Sequence, residues 1–264
     1  MVNDANLYGI ITITHLEAIS GTRKLVNITW GFQKRRFKVS DFYQETQMNY
    51  KAVIFDLDGT LLNSLEDIAD SANSVLSDHG FPTHKADDYK ILVGSGISEL
   101  MIRALPEEKR NTESIDDYVK EYRAEYSQNW NKKTKPYDGI PEMLDVLTAI
   151  SIKIAVLSNK LHVFTKQCVD KLLPNWKFDV VVGFQNEIPP KPDPTGALQI
   201  AEQLNLSPFQ ILYVGDSDID MKTGVAAGMH PVGVLWGFRT KEELQKSGAK
   251  TLIEKPQEIL NLLR

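Results

Sequence analysis

From Pro136 onward the chain alternates short apolar, β-branched runs with helical stretches, and this alternation restricts the possible folds more than any other feature. The runs "IKIAVLS" (152–158), "FDVVVG" (178–183), "ILYVG" (211–215) and "PVGVLWG" (231–237) are bounded by Gly, Pro, Asn or Asp. Between them, "PEMLDVLTAI", "FTKQCVDKLL" and "PTGALQIAEQLN" place apolar residues at helical spacing. Strands that are apolar throughout, separated by helices, predict a parallel sheet covered on both faces. An earlier run, 51–56, has the same character and is expected to join that sheet. The expected class is α/β, with a doubly wound, Rossmann-like parallel sheet as its core. Such sheets bind ligands in the crevice at the carboxyl ends of their strands. Asp56 falls there.

Residues 64–135 break the alternation and read as an inserted, mostly α-helical cap, which leaves 50–63 and 136–264 as the α/β core. Ser64 followed by Asp67 resembles a helix start, with a capping oxygen and early negative charge at the positive end of the helix dipole. "LEDIADSANSVLSDHG" carries apolar residues at helical spacing and stops at Gly80. Further helical regions follow in "LVGSGISELMIRALP" and "TESIDDYVKEYRAEYSQNW". Residues 1–49 read as an N-terminal extension tied to no recognisable unit. "YGIITITHLEAI" has the composition of a strand, and "RKLVNITWGFQKRRFKV" has some alternation and six basic residues. Either residues 1–47 lie upstream of the true start at Met48, or they form an accessory segment able to dock an anionic partner.

Each strand end carries polar chemistry. An ionised carboxylate taken out of water is unfavourable unless paired or bound to a metal, yet Asp56 and Asp58 straddle Leu57 directly after a buried-looking run. "IKIAVLS" ends at Ser158-Asn159-Lys160, a hydroxyl with neighbouring backbone donors that suit phosphate oxygens. Lys191 sits in "PPKPDPT", where prolines limit the loop and so fix the direction of its ammonium. "ILYVG" ends in "GDSDID", which clusters Asp216, Asp218 and Asp220. Carboxylate oxygens with few nitrogen or sulfur ligands suit Mg²⁺.

With these residues in place, the sequence resembles the haloacid dehalogenase superfamily of phosphatases over residues 50–264. The resemblance rests on "DLDGT" (56–60), "LSN" (157–159), Lys191 in "KPDP" and "GDSDID" (215–220), in that order at strand ends. The helical insertion, including "LVGSGISELMIRAL", is similar to the small cap of the phosphoglycolate phosphatase-like branch. The resemblance implies that Asp56 attacks phosphorus and becomes an aspartyl phosphate, and that Asp58 protonates the leaving alkoxide and later activates water. It implies Mg²⁺ held by Asp56, the Asp58 main-chain carbonyl and Asp216, with Asp220 acting through water or orienting the other ligands. Ser158, Asn159 and Lys191 would hold phosphate oxygens, and Thr60 would support the loop around the two aspartates. Dehalogenases and phosphonate hydrolases of the superfamily lack an Asp at the position of Asp58, so its presence favours a phosphate ester or anhydride. A small-molecule phosphate ester is the expected partner, with 2-phosphoglycolate the first guess. A pyrophosphatase, a β-phosphoglucomutase-type phosphosugar mutase and a non-catalytic phosphate-binding protein are the alternatives.

Outside these motifs the expectations are plainer. Asp218 reads as a solvated helix-start acid, Lys160 as a surface lysine, and Arg239 as a surface charge that starts a helix. Trp236 and Phe238 read as packing residues. His79, His84, His162 and His230 show no metal-ligand spacing. The Gly94-Ser95-Gly96 turn either separates two cap helices or faces the substrate. A net charge of -5 argues against general nucleic-acid binding, and no apolar run approaches bilayer length. The lone Cys168 excludes an internal disulfide. Asp4, His15 and Glu17 interrupt any secretory signal. A cytoplasmic protein, monomeric or homodimeric, is expected.

Overall fold

In the computed structural model, residues 25–30, 33–38, 50–110 and 112–263 are described. Met1–Asn49 and Tyr50–Arg264 form separate compact units. In the first, β1 (Leu25–Trp30) pairs antiparallel with β2 (Gln33–Lys38), with Leu25 opposite Lys38 and Trp30 opposite Gln33. This pair lies within the basic stretch. The strand expected in "YGIITITHLEAI" lies outside the described residues.

The second unit begins with β3 (Ala52–Phe55) and β4 (Leu62–Asn63). There follow α1 (Leu65–Asp78), α2 (Tyr89–Leu92), α3 (Ile97–Ala104) and α4 (Thr112–Asn129), then β5 (Lys135–Pro136). Beyond these run α5 (Ile140–Ala149), β6 (Lys153–Leu161), α6 (His162–Leu172), β7 (Val180–Phe184), α7 (Thr195–Gln203) and β8 (Ile211–Gly215). The chain finishes with α8 (Asp218–Ala226), β9 (His230–Val234), α9 (Lys241–Lys246) and β10 (Thr251–Ile253) before a terminal 3₁₀ segment. Among the described residues, no helix is long and apolar enough to cross a membrane.

Six strands form one parallel sheet in the order β10-β9-β8-β3-β6-β7. The two-residue period of a strand explains why its central members are apolar at every position. Along β3, Val53 and Phe55 join one buried cluster while Ala52 and Ile54 join the other. β8 divides in the same way, with Leu212 and Val214 on one face and Ile211 and Tyr213 on the opposite one. Burying both faces is what a doubly wound sheet requires.

β3 comes first in this sheet and ends between β6 and β8. The strand order therefore reverses at β3, and its carboxyl end opens into the crevice where such sheets take ligands. β4 and β5 pair antiparallel, Leu62 with Pro136 and Asn63 with Lys135. The chain thus leaves the sheet and returns to it at adjacent points, and the segment between carries α1 to α4. Ile68, Ala72, Val75 and Leu76 of α1 are buried, as are Ile115, Val119, Tyr122 and Tyr126 of α4, and the two helices pack together. Gly80 at φ +69° follows the end of α1, a backbone conformation open to glycine without a side-chain penalty.

Candidate active site

The carboxyl ends of β3, β6 and β8 bring Asp56, Ser158, Asn159, Lys191, Asp216 and Asp220 together as buried polar groups, with Asp58 partly buried beside them. Asp56 follows β3, and its backbone N–H donates to the Val214 carbonyl at 2.8 Å, which holds it to the edge of β8. The Lys191 ammonium lies 2.8 Å from Asp56 Oδ1 and 2.7 Å from Asp220 Oδ1. Asn159 holds the lysine loop. Its Oδ1 accepts from the Lys191 N–H at 2.8 Å, while its Nδ2 donates to the Lys191 carbonyl at 3.0 Å. The same Nδ2 donates to the Gly94 carbonyl at 3.0 Å, joining the end of β6 to the turn between α2 and α3. The side chain of Asn159 is thus a positioning group.

Asp216 is oriented from both sides. Thr60 Oγ1 donates to its Oδ1 at 3.2 Å, and the Phe238 N–H donates to its Oδ2 at 2.7 Å. The Thr60 carbonyl in turn accepts from Trp236 Nε1 at 2.9 Å, so Trp236 braces the loop as well as packing. Thr60, expected beside the phosphate-binding residues, turns its hydroxyl to Asp216. Asp220 accepts from the Ser217 N–H and hydroxyl through Oδ2 and from Lys191 through Oδ1. Both of its oxygens are engaged. Asp218 pairs with exposed Lys222, outside the cluster.

Asp56, Asp216 and Asp220 are all buried, and each offers an oxygen within 4.8 Å of the others. Burial, and then repulsion from Asp220, pushes the Asp56 carboxyl up to about 7 against the pull of Lys191. Burial, followed by Asp220 and Asp56, likewise raises Asp216 well above the usual carboxylate range. Ionising all three carboxylates against one ammonium would leave negative charge uncompensated, which is why protons are retained there without a cation. An all-oxygen set with that surplus fits a hard cation.

Asp58 has a different environment, and here two expectations are corrected. Lys160 is no surface lysine: its ammonium lies 2.8 Å from each Asp58 oxygen, and its side chain is 8% exposed. Burial works most strongly against the Lys160 charge, but Asp58, with lesser contributions from Tyr126, Cys168 and Tyr122, together outweighs it and holds the pKa well above its ordinary value. The Lys160 N–H also donates to Ser158 Oγ at 3.2 Å. Ser64 precedes α1 but makes no side-chain cap; its hydroxyl donates to Asp58 Oδ1 at 2.6 Å. Asp67 accepts from the backbone N–H groups of Lys133 and Thr134 and from the Thr134 hydroxyl. It therefore ties α1 to the segment entering β5.

Asp56, Asp58, Ser158, Lys160, Lys191 and Asp216 line one pocket together with Ile68, Val93, Ile97, Leu100, Tyr122 and Phe164. Gly94 and Gly96 also line it, which favours the substrate-facing reading of that turn. Arg239 is a lining residue too. Its guanidinium donates to the Lys90 and Val93 carbonyls, tying the loop after β9 to the end of α2. The expectation of a plain surface charge gives way to a tie between two parts of the fold. The four histidines among the described residues have structural partners: His162 Nδ1 accepts from Gly183 N–H, His79 pairs with Glu121, His84 contacts the Ala104 carbonyl, and His230 contacts Thr251. Cys168 is buried, and that burial pushes its thiol up to about 11.

Residues 53–234 match the family model of the haloacid dehalogenase-like hydrolases. A phosphoglycolate phosphatase of Aquifex aeolicus is 35% identical over 188 residues, which cover 71% of this chain and 86% of that protein. An N-acetylmuramic acid 6-phosphate phosphatase of Pseudomonas aeruginosa is 28% identical over 82% of this chain and 96% of its own length. A solved haloacid dehalogenase-like family hydrolase of Streptococcus pneumoniae superposes with a TM-score of 0.75, covering 83% of this chain and 100% of that one. Its 22% identity speaks to the fold alone. Sheet order, strand-end carboxylates and sequence likeness agree: the chain belongs to the haloacid dehalogenase-like hydrolases and resembles their phosphoglycolate phosphatases.

Proposed function

We propose that this protein is a Mg²⁺-dependent phosphatase of small phosphomonoesters, working in the cytoplasm, with 2-phosphoglycolate the first substrate to try. One observation carries the reading. Asp56 and Asp58 leave the same strand end for one pocket floor but have different partners, Lys191 for Asp56 and Lys160 for Asp58. Two carboxylates in different environments suit two tasks.

An Asp56 oxygen attacks phosphorus, the ester P–O bond breaks, and an aspartyl phosphate forms. Asp58 enters the step protonated, gives that proton to the departing alkoxide, and regains one from the water that hydrolyses the phospho-enzyme, which returns it to its starting form. Ser158 Oγ, the Lys191 ammonium and backbone N–H groups near Asn159 and Asp58 hold the phosphate oxygens as charge redistributes. Asp56, the Asp58 carbonyl and Asp216 would hold Mg²⁺, with Asp220 behind them as the orienting residue. When bound, the ion offsets the repulsion between a carboxylate and a phosphate dianion. Residues 64–135 act as a cap over 50–63 and 136–264, excluding water and presenting the apolar wall to the leaving group.

The test is phosphate release from 2-phosphoglycolate, N-acetylmuramic acid 6-phosphate, sugar phosphates, nucleotides and pyrophosphate, with Mg²⁺ or EDTA. Metal-dependent release that disappears in Asp56→Asn is expected. Release that survives Asp56→Asn would overturn the mechanism, and no release from any ester would overturn the function.

A further inference from the structure

Tyr126 of α4 reaches the Asp58–Lys160 pair. The Lys160 Nζ stands over its ring, 4.8 Å from the centroid, a distance at which an ammonium is drawn to an aromatic face. Two aromatic neighbours fix that ring. Tyr122, one turn earlier on α4, stacks against it at 5.6 Å with 8° between the planes. Phe164 of α6 meets it edge-on, at 5.2 Å and 88°. Both are favoured aromatic geometries. The Tyr126 hydroxyl is buried and has no hydrogen-bond partner among the described residues. The contact that this residue makes to the charge pair is therefore through its ring face.

Lys160 in turn holds Asp58. Its ammonium lies 2.8 Å from each Asp58 oxygen. A lysine ends in a point charge on a flexible four-carbon stem, so by itself it orients a carboxylate loosely. Seated on a fixed ring, the ammonium has one place to stand, and the carboxylate that it pairs with is fixed in turn. The pair is also shielded from water: the Lys160 and Asp58 side chains are 8% and 12% exposed, and Tyr126 is 2% exposed. Both contacts are stronger for that exclusion. Asp58 and Lys160 belong to the ends of β3 and β6, whereas Tyr126 comes from the segment inserted between β4 and β5.

We propose that Tyr126 is a positioning residue whose ring face seats the Lys160 ammonium and, through it, fixes the Asp58 carboxylate. The inserted helices thus complete the setting of the acid–base group as well as lining the pocket. The effect on proton transfer rests on the phosphatase reading; the seating of Lys160 and Asp58 does not.

The test has a resonance arm and a kinetic arm, applied to the unsubstituted protein, Tyr126→Leu and Tyr126→Phe, with circular dichroism verifying the fold. In the first, the Lys160 ε-methylene proton signals, assigned with Lys160→Arg, should lie upfield of the other lysines through the ring current of Tyr126. They should stay there in Tyr126→Phe and return to the ordinary position in Tyr126→Leu. The Asp58 carboxyl carbon signal, assigned with Asp58→Asn, should move in Tyr126→Leu and hold in Tyr126→Phe. Lys160 signals at the ordinary position in the unsubstituted protein overturn the proposal, and that result needs no variant to fold. An Asp58 signal unmoved in folded Tyr126→Leu overturns it as well. The kinetic arm compares 2-phosphoglycolate, whose alkoxide needs a proton to leave, with p-nitrophenyl phosphate, whose phenolate does not. In Tyr126→Leu, kcat/KM should fall about tenfold for the first ester and within about threefold for the second, with Tyr126→Phe recovering most of the loss. Equal losses on the two esters would show a merely structural part and overturn the proposal. A loss in Tyr126→Phe as large as in Tyr126→Leu would assign the effect to the hydroxyl and overturn it too. No phosphate release from any ester by the unsubstituted protein overturns the phosphatase reading alone, because the resonance arm still decides the seating.

Discussion

Replacing Asp56 with Asn should make the metal-free protein more heat-stable at alkaline pH, although it removes the proposed nucleophile. Asp56 is buried with Asp216 and Asp220 and shares one ammonium with Asp220, and its carboxyl is pushed from 3.8 up to about 7, first by burial. Between those two values the folded protein keeps a proton that the unfolded chain has released. Stability therefore falls as pH rises through this window. About three pH units correspond to a loss on the order of 4 kcal/mol by pH 8, or a Tm lower by on the order of 10 °C for a domain of this size. Asn is a neutral substitute of the same shape and escapes the loss. His230, whose pKa burial lowers, acts in the opposite sense, since its folded form resists the proton that the unfolded form binds below its ordinary value. The informative quantity is thus the Tm of the unsubstituted protein minus that of Asp56→Asn, measured in EDTA by scanning calorimetry from pH 4.5 to 8.5. The difference should be near zero at the acidic end and become increasingly negative toward pH 8. Mg²⁺ should raise the Tm of the unsubstituted protein at pH 8 and lose that effect near pH 5, because it competes with protons for the same oxygens. A difference that is flat or rises with pH, together with no Mg²⁺ effect at pH 8, would refute the electrostatic reading of the cluster.

Asp58→Asn should fold and lower the rate of phosphate release by about 10²–10⁴-fold, the usual contribution of a positioned acid–base group; a loss below about tenfold would remove Asp58 from that role. Gly59 has φ +85°, and a Cβ there would strike the Asp216 carboxylate. Gly59→Ala should cost about 1–2 kcal/mol for the left-handed backbone, read as a Tm drop of about 2–8 °C, and should weaken Mg²⁺ protection by displacing Asp216. Arg239→Ala removes the donors to the Lys90 and Val93 carbonyls. Amide exchange in residues 93–96 should then accelerate, with kcat/KM falling by about tenfold; unchanged exchange would show that the tie does not hold this segment.

Much of the core was legible because its signals are local. The period and composition of 52–55 and 211–215 reflect burial on both faces, and the unit-by-unit alternation with helices leaves a parallel sheet as the economical solution. Asp56, Ser158 and Asp216 were recognisable because each closes an apolar run, and Lys191 because a proline stands on either side of it. The misread residues have contacts that are remote in the chain. Lys160 looks like a solvated lysine after a strand until Asp58, 102 residues away, is placed beside its ammonium. Ser64 has the composition of an N-cap, but the bend of the chain after β4 turns its hydroxyl to Asp58. Trp236 and Arg239 offered no local polar signal, since their acceptors are backbone carbonyls at Thr60, Lys90 and Val93.

By itself, the sequence determined five of the six strands of the parallel sheet, the helices between them, and which residue types stand at the strand ends, while the short β10 (Thr251–Ile253) and the β4–β5 pair carried no such signal. Those outcomes follow from burial periodicity and backbone restriction within a few neighbouring residues. Tertiary structure alone decided which strand end faces which, and hence that Lys191 serves Asp56 while Lys160 serves Asp58. The physical reason is that a charge pair depends on distance in space and on the water excluded around it, and both are set only when the two faces of the sheet and the helices between β4 and β5 have closed over the site.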